Sequence, residues 1–196
     1  MVNSSSGLPR NMAAVDYMQM MEQCERQELE SPGGIATPVV YAQLLSLYLL
    51  QNDLANAKFL WKRIPPPIKS SNPELNNIWM VGQKMWQRDF PQVYQSLNQE
   101  WSENIKPIMQ ALHEDVRSRA FQLVSKAYSS IGTEDFAHFI GMPTEQAVSA
   151  AAAEGWQIDT QNKLIVPKKP ATPQDPPIPS EQQLAQLTEF VAYLEN

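Results

Sequence analysis

Cysteine and histidine are nearly missing from this 196-residue chain, which has one of the first and two of the second. Cys24 has no second cysteine for an internal disulfide, so disulfide-stapled scaffolds are excluded and a reducing compartment is expected, cytoplasm or nucleus. The Ser-rich stretch from Met1 to Arg10 fits that expectation, since it carries no apolar core of signal-peptide type. His113 and His138 stand 25 residues apart, and a zinc centre needs more ligands at closer spacing. The HxH and HExxH patterns of metallohydrolases are absent, as are G-x-S-x-G, the P-loop and G-x-G-x-x-G. Glycine is scarce, 7 residues against 16 prolines, which speaks against an all-β sandwich or a phosphate-cradling loop. No apolar run approaches the ~18 residues of a membrane span. Basic charge is in deficit, 15 Lys and Arg against 21 Asp and Glu, so nucleic acid is a poor candidate partner. No metal, cofactor or small-molecule substrate is expected.

What the chain does have is 43% hydrophobic residues, enough for a core, arranged mostly at helical spacing. Met12, Val15, Met18, Met21 and Cys24 recur every third residue after a potential cap at Asn11, and Pro32-Gly33-Gly34 closes that segment. Thr37-Pro38 opens a second helix, Val39 to Leu50, apolar on nearly every face. Asn52-Asp53 breaks it, and Leu54, Ala57, Leu60, Trp61 and Ile64 form the stripe of a partner helix that ends at Pro65-Pro66-Pro67. Asn72-Pro73 starts the same grammar again. At an offset of 36, Leu45 falls on Val81, Asp53 on Asp89, Ala57 on Val93 and Trp61 on Leu97. Two helical hairpins with an Asp turn at this period are the signature of stacked, tetratricopeptide-like repeats. Ser102 is placed to cap a further helix through Leu112, continuing as one long or two abutting helices to Tyr128.

The pattern changes after Tyr128. Thr133 and Thr144 head two short helices separated by Gly141-Met142-Pro143, and Gly155 ends the second. Trp156 to Asp159 and Lys163 to Val166 read as two short strands around a polar turn. Helix, helix, hairpin is the order of a winged helix. Its second helix carries no Lys or Arg, and residues 129–166 hold five acids against Lys163 alone, so it would repel a duplex. Its hairpin instead offers a sheet edge to another chain. Pro167 to Pro179 contains six prolines, the composition of an extended linker. A last helix follows, with a Ser180–Gln183 capping box and a stripe of Leu184, Leu187, Phe190, Val191 and Leu194. A helix this short is marginal alone, so the stripe must dock somewhere.

The expected fold is mostly α: a flexible tail (1–10), stacked helical hairpins (11–128), a winged-helix subdomain with a small β-hairpin (129–168), a Pro-rich linker (169–179) and a C-terminal helix (180–196). That is the layout of a PCI-domain protein. Several stretches sharpen the resemblance: Gln23-Cys24-Glu25, Gln27-Glu28-Leu29-Glu30, Pro32 to Pro38, Leu60-Trp61-Lys62-Arg63-Ile64-Pro65-Pro66, Trp86-Gln87-Arg88-Asp89-Phe90-Pro91 and Ala127-Tyr128-Ser129-Ser130-Ile131. From Met18 to Lys168 the chain resembles the subunit-eight family of the COP-nine signalosome, the complex that removes a ubiquitin-like modifier from cullins. The resemblance implies a non-catalytic scaffold in cytoplasm and nucleus, because in that complex an HxH metalloprotease subunit does the chemistry. It also implies partners: subunit three at the winged-helix sheet edge, through Ile158, Leu164 and Ile165, and several subunits at the C-terminal helix, through Leu184, Leu187, Phe190, Val191 and Leu194. The plain alternative is that the hairpin only closes its own domain and the last helix folds back. Small PCI subunits of the proteasome lid or of translation initiation factor three share the layout, and a nucleic-acid-binding winged helix is a remoter reading. An enzyme using Cys24 with His113 or His138 is disfavoured, since Cys24 lies on an apolar stripe.

Overall fold

Two hydrophobic cores organise the described residues. The structure, a computed structural model, describes residues 10–169 and 180–194, with side chains described for 17–169 and 183–194. The expected tail over residues 1–9 and most of the linker, 170–179, lie outside the described residues.

The described residues form ten α-helices and one small sheet. Helix α1 (Arg10–Glu30) already includes Arg10, the last residue expected in the tail. It leads through a 3₁₀ turn at Pro32–Gly34 into α2 (Pro38–Leu50) and α3 (Leu54–Arg63). A short helix, α4 (Pro66–Ser71), occupies the stretch read only as a stop. Then come α5 (Pro73–Gln87), α6 (Phe90–Leu97) and α7 (Lys106–Ala127), the last an unbroken helix of 22 residues.

The 36-residue repeat is real at atomic level. Asn52 and Arg88 both adopt left-handed backbone, with φ of 60° and 58°. The following Asp53 and Asp89 each cap the next helix, accepting from Asn56 N at 3.0 Å and Gln92 N at 3.3 Å. Such a turn reverses the chain in two residues and satisfies an orphan helical N–H, so α2–α3 and α5–α6 fold back as hairpins. Leu45 and Val81, and Ala57 and Val93, are all buried at equivalent places. Gly82 of α5 lets α2 approach closely: a Cβ there would lie 3.0 Å from Leu49 Cδ2. The stacked rings of Trp61 and Trp79, 5.4 Å apart, tie α3 to α5.

Several expected caps are filled differently. Thr37 and Asn72 occupy N-cap positions but make no side-chain cap bond, and Asn72 Nδ2 donates to Ile68 O instead. Ser102 serves through its backbone, its carbonyl accepting from Ile105 N and Lys106 N. Thr133 and Thr144 sit one residue inside their helices, after Gly132 and Pro143. The Ser180 side chain of the expected capping box lies outside the described residues.

After α7 come β1 (Ile131–Gly132), α8 (Thr133–Ile140), α9 (Thr144–Ala153), β2 (Gln157–Asp159) and β3 (Leu164–Val166), then α10 (Ser180–Leu194). The sheet is antiparallel with order β1-β3-β2. Strand β1, two residues long, is too short to show periodicity and turns the expected hairpin into three strands. Its pairing corrects one expectation. Strand β3 is central, so Leu164 and Ile165 are not at a sheet edge, and Ile165 is 0% exposed. Only Ile158, on β2, is on an outer strand.

The first core runs from Cys24 through α2–α6 to Val116; the second from Ala120 to Ile165. Both are built on α7, whose N-terminal half packs on the repeats and whose C-terminal half packs under the winged helix.

Candidate interaction surfaces

The repeats and the winged helix are locked together at one joint. Tyr94 of α6 lies against Gly141, the left-handed residue (φ 62°) that ends α8, and its hydroxyl donates to Phe139 O at 3.2 Å. Arg117 of α7 donates from Nε to Ile140 O at 3.2 Å and places its guanidinium carbon 6.0 Å from the Tyr94 ring centre. His113 meets the same ring edge-on at 5.5 Å. Burial pushes the Tyr94 hydroxyl up to about 12, against the lowering effect of Arg117. Burial, then Arg117, pushes His113 down. Arg117 is thus the one charged side chain among these three, and its bond to Ile140 O with that of Tyr94 to Phe139 O ties α6 and α7 to the end of α8.

The sheet edge is presented by that joint. Trp156, at the root of β2, packs against Phe136 and Phe121 with ring centres 5.2 and 5.5 Å away. Asp159 closes the turn to β3: Oδ1 accepts from the backbone N–H of Gln161 and Asn162, and Oδ2 from Asn162 Nδ2 at 2.8 Å. Those bonds, the Asn162 side chain first, hold its carboxyl below the usual range. Lys163 follows with φ 53°. Register is thereby pinned at Ile158↔Ile165. Ile158 is half-buried, and Val166 on β3, which pattern reading passed over, is the exposed apolar residue of the sheet.

The C-terminal helix is the larger apolar surface. Leu184, Leu187, Phe190, Val191 and Leu194 are all exposed, Leu187 at 63% and Phe190 at 67%. Tyr193, outside the stripe read from the sequence, is exposed as well. Exposed apolar residues in such number on one element make α10 a candidate interaction surface.

The residues considered for chemistry do not converge. Cys24 is buried in the first core; desolvation, then Glu25, pushes its thiol up, away from the reactive thiolate. Its Sγ donates weakly to Gln43 Oε1 at 3.9 Å. His113 is at the Tyr94 joint, and His138 is exposed on α8. Among the described residues no group of three or more His, Cys, Asp or Glu is placed to hold a metal ion. No helix of the described residues is long and apolar enough to cross a membrane.

A sequence model of the CSN8/PSMD8/EIF3K family matches residues 35–175, from the first repeat helix through the whole winged helix. The chain belongs to the CSN8/PSMD8/EIF3K family. Among curated members of this family, the protein named COP9 signalosome complex subunit 8 in Xenopus tropicalis is 56% identical over 183 residues, covering 93% of this chain and 95% of its own. The protein of the same name in Danio rerio is 54% identical over 186 residues, 94% of this chain and 97% of its own. The Arabidopsis thaliana protein is 36% identical over 157 residues, 80% and 79% respectively. The mostly helical architecture closing in a small sheet is the PCI-like fold expected of the CSN8/PSMD8/EIF3K family.

Proposed function

We propose that this chain is a non-catalytic scaffold subunit of the COP9 signalosome and contributes to cullin deneddylation only by assembly. One observation carries the reading: identity above half, over more than nine tenths of the chain, to vertebrate proteins named as subunit 8 of that complex. In this reading the outer edge of β2, with Ile158, adds to the winged-helix sheet of subunit three. Leu164 contributes through its partly exposed side chain, whereas Ile165 acts only by holding the sheet. The α10 stripe of Leu184, Leu187, Phe190, Val191 and Leu194 enters a helical bundle with several subunits, in cytoplasm and nucleus. Mass spectrometry of proteins copurifying with the tagged chain tests the assignment. Recovery of the signalosome subunits is expected; recovery of the proteasome lid or of translation initiation factor three in their place overturns it.

The α10 role has its own test. Its large apolar residues could each contribute ~1.5–3 kcal/mol when buried, and ordering the helix costs ~1–2 kcal/mol per residue. Without a partner to bury the stripe that gain is missing and does not offset the ordering cost. Truncation after Pro179, or Leu187→Asp with Val191→Asp, is therefore expected to leave the melting temperature of the free chain unchanged while weakening its retention in the complex. Two unpaired carboxylates in a bundle core are costly. Melting well below the parent chain would show that the stripe packs on its own subunit.

A further inference from the structure

Between the two repeat turns and α7 lies a cleft of about 610 Å³ that neither the sheet edge nor α10 uses. That volume is within the ~300–1,000 Å³ of ordinary ligand pockets. Its walls are apolar, with Leu54, Phe90 and two exposed side chains, Trp86 at 55% and Leu123 at 39%. Its charged lining is of one sign, Arg88 and Arg119, in a protein of net charge −6. Lys58 adds a third cation beside it, Nζ 4.9 Å from the Trp86 ring centre. Asp53 and Asp89 have their carboxylates turned to helix N-termini and Asp115 neutralises Arg119, which leaves Arg88 and Lys58 as the cations open to a ligand. Arg88 is exposed and is in no ion pair among the described residues. Arg119 Nε is buried without an acceptor, although the same guanidinium reaches Leu50 O at 3.3 Å.

We propose that this cleft docks a short acidic segment of a partner protein, with one bulky apolar side chain inserted against Trp86 and Leu123 and flanking carboxylates on Arg88 and Lys58. The charge fits an anion, and the exposed indole is the residue type that anchors such contacts. The 36-residue repeat builds the site: the left-handed turn residues Asn52 and Arg88 both line it, with α7 as the third wall.

The test uses the full chain and fluorescent nonapeptides with a central Phe, measured by anisotropy. The peptide with Asp and Glu flanks should bind, about fivefold or more tighter than one with Lys flanks, and raising salt should weaken it. Trp86→Ala should weaken binding by about tenfold or more, as loss of an aromatic anchor does. Arg88→Asn should weaken it severalfold without backbone strain, because Asn tolerates left-handed φ. Both variants should melt as the parent does, which separates lost binding from lost fold. Absence of binding, equal binding of the two flank types, or binding untouched by both variants overturns the proposal. Truncation after Pro179 separates a partner from the chain's own tail as the occupant: unchanged affinity for the acidic nonapeptide supports the partner, whereas affinity raised severalfold by the truncation would show the tail occupying the cleft and overturn that assignment.

Discussion

Replacing Gly141 by Ala should be the most damaging single-methyl change in the protein, and the reason can be worked from distances. Gly141 has φ 62°, where an L side chain costs ~1–2 kcal/mol. An added Cβ would also fall 2.3, 2.5 and 2.8 Å from Cδ2, Cγ and Cε2 of Tyr94. The ring cannot simply step aside, because its hydroxyl bonds Phe139 O and its faces are held by His113 and Arg117. Overpacking of this kind adds ~1–3 kcal/mol. The total is about 2–5 kcal/mol, or roughly 5–15 °C in melting temperature for a chain of this size. Gly155 supplies the internal control. It has φ 75°, but a Cβ there meets nothing within 4 Å. Gly155→Ala should therefore cost only the backbone part. Thermal melts followed by circular dichroism compare the two, and a cycle with Tyr94→Ala isolates the contact. In the Tyr94→Ala background, Gly141→Ala should fall to the cost of Gly155→Ala, a coupling of ~1–3 kcal/mol. Equal melting of the two glycine variants, or strict additivity in the cycle, would refute the argument.

Three further outcomes follow from the same structure. Arg63 holds buried Glu28 through bonds of 2.7 and 2.8 Å, with Arg63 half exposed. Arg63→Met, which strands a buried carboxylate, should therefore destabilise more in urea than Glu28→Gln, by about 1 kcal/mol. Asp53→Ala and Asp89→Ala should each cost about 1 kcal/mol. Asp53 should cost more, because its second oxygen also accepts from Asn56 Nδ2 at 2.7 Å; equal denaturation midpoints would count against this. Because folded His113 has a lowered pKa, the unfolded chain takes up that proton first. Its contribution to stability is present above the unfolded value of ~6.5 and is lost as pH falls below it. Melting temperature should decline from pH 7.5 to 5.5, and less steeply in His113→Gln; parallel declines would exclude His113 as the cause.

Helices, their order and the repeat were legible because each rests on local rules. Periodic apolar residues make amphipathic or buried helices, and proline at a first helical position marks a start. An Asp two-residue turn seen twice at one spacing makes two hairpins. The α10 stripe was equally plain. By contrast, the caps at Thr133 and Thr144 moved by one residue, since Gly132 and Pro143 already supply the extended backbone before each helix.

By itself, then, the amino-acid sequence determined a helical repeat running into a winged helix and an apolar terminal stripe, all set by contacts within a few residues. Tertiary structure alone decided which strand is the edge. Ile131 pairs with Ile165 across more than thirty residues, and that one pairing moves Leu164 and Ile165 from the rim of the sheet to its middle. The Tyr94–Gly141 joint, the buried Glu28–Arg63 pair and the Arg88–Arg119 cleft are likewise products of distant segments. Periodicity reports which face of an element is apolar, but not which element will cover it.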